Sequence, residues 1–265
     1  MPVPPSSILI LGGTMEARRL AEALARMSGL RVDLRVELSL AGRTQSPRPL
    51  PVPVRIGGFG GASGLADYLR QGGFQALVDA THPYAARISA NAAAAAQATG
   101  IPLYSLHRPG WARQAGDEWV EVADIPAGVA ALGDKPARIF VTLGRQEVAP
   151  LLAAPWHHYL IRSVDPIDPP LPLPHLETLL DRGPFDLAAE IDLLTRARID
   201  IILSKNSGGD GAAAKIDAAR RLGLPVIMVQ RPHKPAGLLA SDVPGLLTLL
   251  GLGTDDHDAA MLRGV

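Results

Sequence analysis

Gly12-Gly13-Thr14-Met15-Glu16-Ala17 stands directly after a short apolar run. Glycines let a backbone come close to a phosphate, and a helix starting there offers unpaired N–H groups and the positive end of its dipole. The segment is not a strict G-x-G-x-x-G, because Thr14 and Ala17 stand where later glycines would. A tight turn in a ligand-free domain would read the same way. The next apolar run ends in Ser39-Leu40-Ala41-Gly42-Arg43-Thr44. NAD sites usually carry an acid at that point for the ribose hydroxyls, and Glu37 comes two residues too early. A hydroxyl at Ser39 and a guanidinium at Arg43 suit a 2′-phosphate, which points to NADPH. A solvated loop arginine is the alternative. Gly57-Gly58-Phe59-Gly60-Gly61 implies unusual backbone angles or close approach to a ligand, such as the adenosine end of a cofactor near Gly58. A flexible loop is the plainer reading.

Asp79-Ala80-Thr81-His82-Pro83-Tyr84-Ala85 follows a further apolar run. Pro83 suits a first helical turn, which leaves Thr81 and His82 exposed at a strand end. His82 can orient a nicotinamide or a substrate carboxylate, donate a proton, or simply cap a helix. Gly12, Gly13, Thr14, Ser39, Arg43, Gly58, Thr81, His82 and Pro83 form the expected cofactor set. No second His, Asp or Glu stands near His82 at ligand spacing, so no metal site is expected.

The second half is rich in cations at loop positions. Thr142-Leu143-Gly144-Arg145 ends an apolar run with a guanidinium, and Gly183-Pro184-Phe185 reads as a rigid turn. Ser204-Lys205-Asn206-Ser207-Gly208-Gly209-Asp210-Gly211 joins a run to a helical pattern. Its Lys205, Ser207 and backbone N–H groups can hold carboxylates or phosphates. The order is not that of a P-loop, and a purely structural turn is the alternative. Arg231 adds a cation after the last apolar run. No Ser-His-Asp arrangement emerges. Cationic loops beside a cofactor that supplies the chemistry fit an anionic substrate.

These loops need strands and helices to place them. Apolar runs at residues 8–11, 31–38, 52–56, 76–79 and 102–106 alternate with helical patterns at 65–69 and 85–99. Leu20, Leu24 and Met27 mark a helix that Gly29 ends. Pro47, Pro49, Pro51 and Pro53 force an extended connection. Strands at 138–143, 158–164, 176–180, 200–204 and 225–229 follow, with helices at 186–197, 212–222 and 243–250. Residues 165–174 hold five prolines and read as a stiff loop. This α/β alternation predicts two Rossmann-like domains with parallel sheets and an interdomain cleft. Residues 1–134 are expected to bind the cofactor and 135–253 the substrate, with a polar tail at 254–265.

The 265 residues suffice for two cores, and 26 Lys plus Arg balance 26 Asp plus Glu. That balance argues against nucleic-acid or membrane-surface binding. The absence of cysteine excludes disulfides, thiolate metal sites and cysteine nucleophiles. No run is long enough to span a bilayer, and residues 1–7 do not read as a signal peptide, so a cytoplasmic location is expected.

Taken in order, the segments resemble the precorrin-6A reductase family, which includes cobalt-precorrin-6A reductases. The resemblance rests on Ile8-Leu9-Ile10-Leu11-Gly12-Gly13-Thr14 with Glu16-Ala17, on Ser39 to Arg43, and on Asp79-Ala80-Thr81-His82-Pro83-Tyr84-Ala85. Gly183-Pro184-Phe185, Ser204-Lys205-Asn206-Ser207-Gly208-Gly209, Lys215-Ile216 and Arg231-Pro232 carry it through residues 8–232. It implies NADPH-dependent reduction of one double bond in the precorrin-6A macrocycle, giving precorrin-6B on the way to cobalamin. It also implies handover to or from neighbouring pathway enzymes. Ser39 and Arg43 lean toward the metal-free branch over the cobalt branch. The macrocycle's acetates and propionates would meet Tyr84, Arg145, Lys205, Asn206, Ser207, Gly208 and Arg231. His82, Tyr84, Lys205 or water would supply the proton, with water or the substrate itself preferred; His82 and Lys205 are the catalytic candidates among the side chains. A non-redox tetrapyrrole enzyme or carrier would use the same anion-binding cleft without nicotinamide, and a regulatory sensor would bind a dinucleotide without turnover.

Overall fold

The computed structural model describes residues 3–28, 33–42, 49–235 and 237–253. Its elements run β1 (Ser7–Leu11), α1 (Met15–Ser28), β2 (Arg35–Leu40), β3 (Val54–Ile56), α2 (Ala62–Gln71), β4 (Ala76–Asp79), α3 (Ala86–Thr99) and β5 (Leu103–Leu106). They continue with β6 (Trp119–Val122), α4 (Ile125–Ala130), β7 (Arg138–Thr142), β8 (His158–Ser163), β9 (Leu176–Leu180), α5 (Leu187–Arg196) and β10 (Ile201–Lys205). Last come α6 (Ala214–Leu222), β11 (Val226–Val229), β12 (Leu238–Ala240) and α7 (Val243–Leu249). No helix among the described residues is long and apolar enough to cross a membrane.

The chain divides into one unit of residues 1–108 and 232–265 and a second of 109–231. The expected division at 134/135 is therefore corrected twice. β6 and α4 belong to the second unit, and the chain returns to the first after Arg231. The first sheet has the order β12-β5-β4-β1-β2-β3, with every pairing parallel. The order reverses direction between β1 and β4, the point where sheets of this type open a crevice at their carboxyl ends. The second sheet has the order β6-β11-β10-β7-β8-β9, again parallel, and reverses between β7 and β10.

Alternation along β1 explains the first unit's layers. Ile8 and Ile10 join a core with Leu20 and Leu24 of α1 and Leu246 of α7. Leu9 and Leu11 join the opposite core with Leu65 and Leu69 of α2 and Ala92 and Ala95 of α3. The alanine face of α3 lets it lie close on the sheet. In the second unit Phe140, Ile202 and Met228 pack under Leu194 of α5 and Ile216 of α6.

The β2 strand lies later than expected, at Arg35–Leu40 instead of 31–38, and β3 is shorter than expected. Gly29, Arg31, Val32, Pro47 and the tail from 254 lie outside the described residues. β6, α4 and β12 were not expected from the sequence.

Candidate functional site

In the first unit the loop after β1 and the loop after β4 are stitched together. Thr14 caps α1 by accepting from the Ala17 amide at 3.1 Å, and its hydroxyl donates to the Ala80 carbonyl at 2.8 Å. This is why a threonine serves where the motif's second glycine would stand: it satisfies a helix-end donor and ties two strand exits together. The Gly12 amide donates to the Ser39 carbonyl at 2.9 Å, which adds β2 to the same rim. Gly13 has φ +116, a backbone geometry that side chains resist, and nothing lies within 4 Å of where a Cβ would stand. That open position beside the α1 N-terminus is what a diphosphate requires. Ser39 is buried in β2, whereas Arg43 lies outside the described residues.

The Gly57–Gly61 loop has positive φ at Gly57, Gly60 and Gly61. Arg55 holds it by donating to the carbonyls of Gly57 and Gly58 at 2.6 and 2.8 Å, with its guanidinium 4.0 Å from the Phe59 ring centre. Glu37 accepts a short hydrogen bond from the Tyr68 hydroxyl, which lifts the phenol's pKa above its ordinary value, with burial adding to the effect. The acid in β2 is thus engaged away from the strand end.

The loop after β4 rests on a buried carboxylate. Asp79 is fully buried, and its Oδ1 accepts from the Thr81 amide at 3.0 Å and the Thr81 hydroxyl at 2.6 Å. Its Oδ2 faces Lys234 Nζ at 3.6 Å and His107 Nε2 at 3.9 Å. The latter distance is longer than a well-formed hydrogen bond. Burial works against the charge on Asp79. His107, Lys234 and the hydroxyls of Ser89 and Thr81 outweigh it and hold the carboxyl far below the usual carboxylate range. Lys234 also donates to the Thr81 hydroxyl at 3.1 Å and the His82 carbonyl at 3.3 Å. The His82 Nδ1 accepts from the Tyr84 amide at 3.3 Å, so this ring also stabilises its own turn. Pro83 is buried beside it.

In the second unit Lys205 ends β10 as a buried ammonium and donates to Glu147, whose same oxygen accepts the Gly144 amide at 3.1 Å. This joins the loops after β7 and β10 at that sheet's reversal point. Arg145 reaches the Pro166 carbonyl at 3.4 Å. Asn206 pairs with the Trp111 backbone, accepting from its amide at 2.7 Å and donating to its carbonyl at 3.0 Å. Arg231 donates to the carbonyls of Asn206 and Ser207 at 2.7 and 3.0 Å. These two expected substrate residues shape the loop. Gly208 has φ +67, and a Cβ there would fall 2.0 Å from the Pro109 carbonyl oxygen, so only glycine fits. Beside this loop Arg162 forms a buried two-point pair with Glu190 at 2.6 and 3.1 Å and lies 4.0 Å from the Phe185 ring centre. That stacking fixes the Gly183-Pro184-Phe185 turn.

Residues 7–250 match the family described as Precorrin-6x reductase CbiJ/CobK. The chain belongs to that family. It is thereby an oxidoreductase of cobalamin biosynthesis by family, on a Rossmann-like fold that suits a nicotinamide cofactor. A precorrin-6A reductase of Rhodobacter capsulatus is 47% identical over 97% of this chain and 99% of its own length. One from a Sinorhizobium species is 54% identical over 89% and 87%. A cobalt-precorrin-6A reductase of Priestia megaterium is 28% identical over 88% and 94%. A solved structure named CobK precorrin-6A reductase superposes with a TM-score of 0.87 at 45% identity, covering 98% of this chain and all of that one.

Within this family frame, sequence reasoning brought Gly12, Gly13, Thr14, Thr81 and His82 to one rim, and Arg145, Lys205, Ser207 and Gly208 to loops at the carboxyl end of the second sheet. It missed Asp79, His107, Lys234, Glu147 and the Arg162–Glu190 pair. Each is an ordinary charged residue whose partner lies far along the chain, so no local pattern marks it. The one available signal was Asp79 itself, the charged residue that ends the otherwise apolar Ala76-Leu77-Val78 run.

Proposed function

We propose that this protein reduces one double bond of the precorrin-6A macrocycle, giving precorrin-6B, with NADPH as the reductant. The observation that carries this reading is the Thr14–Ala80 hydrogen bond, which joins the diphosphate-suited Gly12-Gly13 turn to the Thr81-His82 loop at the sheet's reversal point. The open position beside Gly13 and the capped start of α1 would receive the diphosphate. Bound there, NADPH supplies a hydride. Thr81, His82 and Pro83 would hold its nicotinamide end, and Gly58 would border the adenosine. Glu37 is occupied by Tyr68, and Ser39 and Arg43 would take a 2′-phosphate, which supports NADPH over NADH.

Arg145, Lys205, Ser207 and Tyr84 would meet macrocycle carboxylates. Asn206, Gly208 and Arg231 would hold the loop that presents them. Catalysis is then mainly positioning, and the proton comes from water or the substrate, with His82 and Lys205 the side-chain alternatives. The higher identity to relatives named for the metal-free substrate supports precorrin-6A over its cobalt complex. A cytoplasmic setting and handover to neighbouring pathway enzymes belong to the same reading.

The test is NADPH oxidation with precorrin-6A and, separately, with cobalt-precorrin-6A. Substrate-dependent oxidation with the first is expected. NADPH binding without turnover would favour a sensor, and macrocycle binding without NADPH binding would favour a carrier. Arg43→Ala should weaken NADPH at least ~10-fold more than NADH, the loss of one charge-assisted pair; equal losses would remove Arg43 from the phosphate site.

A further inference from the structure

The residues outside the expected set that reach deepest into the cofactor rim are Asp79 and Lys234. They lie 155 positions apart in the chain, on β4 and on the segment that leads into β12. Lys234 is almost wholly buried, and its ammonium touches three groups of one loop: Asp79 at 3.6 Å, the Thr81 hydroxyl at 3.1 Å and the His82 carbonyl at 3.3 Å. Asp79 meets the same loop from below through the Thr81 amide and hydroxyl. The loop Thr81-His82 therefore carries a carboxylate under its start and an ammonium on its carbonyl. Burying two charges here is costly, and either one left without the other would be strongly unfavourable, so the pair holds the loop only as a unit. The return of the chain from the second unit is what brings the ammonium in.

We propose that Lys234, paired with Asp79, is a positioning residue for reduction: it fixes the Thr81-His82 loop in the conformation that receives the nicotinamide. The proposal rests on the reading of that loop as the nicotinamide-facing one. Lys234 would touch neither hydride donor nor acceptor. It acts through the His82 carbonyl and the Thr81 hydroxyl, and Asp79 holds the ammonium in place. The other groups facing Asp79 are His107 from the exit of β5 and the hydroxyls of Ser89 on α3 and Thr81.

A buried carboxylate that loses its cationic partner protonates at a higher pH. Lys234→Met should therefore add an acid limb to the pH profile of kcat, at higher pH than any in the native enzyme. It should lower kcat by ~10-fold or more while changing KM for NADPH less than ~3-fold, the pattern of lost positioning rather than lost binding. Lys234→Met combined with Asp79→Asn removes both charges and should lose the new acid limb while keeping the lowered kcat. Lys234→Arg keeps the charge and should recover part of kcat with the native pH profile.

A Lys234→Met enzyme with native kcat and pH profile would overturn the proposal. So would an acid limb that survives in the double variant. If Lys234→Met fails to fold, Lys234→Arg and the double variant carry the test, and native kcat in the double variant overturns it. Native protein that oxidises no NADPH with any precorrin overturns the functional reading and this inference with it. A native enzyme that turns over while these variants match it overturns this inference alone.

Discussion

On the proposed reading, Glu147 sets how strongly Lys205 would act on a macrocycle carboxylate. One Glu147 oxygen accepts from both the Lys205 ammonium and the Gly144 amide, so the cation is already matched within its own unit. Glu147 is also a negative charge where an anionic substrate is expected. Its side chain is one-third exposed, whereas that of Lys205 is 9% exposed. Glu147→Gln removes the negative charge that the Lys205 ammonium meets there and should lower the stability of the free protein by about 1–3 kcal/mol. The same change should tighten macrocycle binding by ~2–10-fold, the usual scale of a partly screened charge pair, with NADPH affinity unchanged. Urea unfolding and macrocycle titration read the two effects separately. Weaker macrocycle binding would mean that Glu147 serves to aim Lys205 at the substrate. The loop that begins after Lys205 was legible in the sequence because a cation and glycines after an apolar run mark a strand exit. Glu147 was not, because it meets Lys205 only once β7 and β10 become neighbours.

At the scale of elements, the entry to β8 shows what holds a parallel sheet at its quiet end. His157 is fully buried, its Nδ1 accepts from the Ala137 amide at 3.2 Å, and its Nε2 donates to the Gly133 carbonyl at 3.1 Å. That pairing requires the neutral ring, with the proton on Nε2. Burial pushes the pKa of His157 below its ordinary 6.5, and the Gly133 carbonyl and Asp134 only partly oppose it. The unfolded chain therefore takes up this proton at a higher pH than the folded one. Stability from this group is present above pH 6.5 and is lost as pH falls through the window below it. His157→Gln should flatten the slope of the urea midpoint against pH in that window while lowering stability at pH 8. An unchanged slope would assign the pH dependence to other histidines.

Elements with strong local patterns were legible: β1, α1, α3, β7, β10 and β11 stand where their apolar spacing put them. The α4 helix was hidden because Pro126 and Gly128 read as breakers, although proline is favoured in a first turn and Asp124 caps the Ala127 amide at 2.8 Å. β6 and β12 are edge strands of four and three residues. So short a run carries no sign of which sheet it will join.

At the scale of the whole molecule, the chain leaves the first unit at Arg108-Pro109 and returns at Arg231-Pro232. Proline cannot continue a strand ladder, so both steps end pairing with what precedes them. Arg108 is tied to Glu16 in the first unit at 2.6 Å, and Arg231 to the Asn206-Ser207 carbonyls in the second. The sequence suggested a simple tandem because two similar α/β patterns follow one another; an insertion leaves no mark in such a pattern. The consequence is an asymmetry in folding. Residues 109–231 are continuous and own a complete six-stranded sheet and its core. The first unit needs residues 232–253, which supply β12, α7 and the buried Leu246, Leu250 and Leu252. Three fully buried leucines are worth about 5–9 kcal/mol, comparable with the whole stability of a domain. A fragment of residues 109–231 should therefore unfold in urea as a single cooperative transition, whereas residues 1–108 should show none until a fragment of residues 232–265 is added. On the proposed reading the mixture should also recover NADPH binding, because the added leucines complete the core under β1 and β4, whose exits carry the Gly12-Gly13 and Thr81-His82 loops. Cooperative unfolding of residues 1–108 alone would show that β12 and α7 decorate a core already complete.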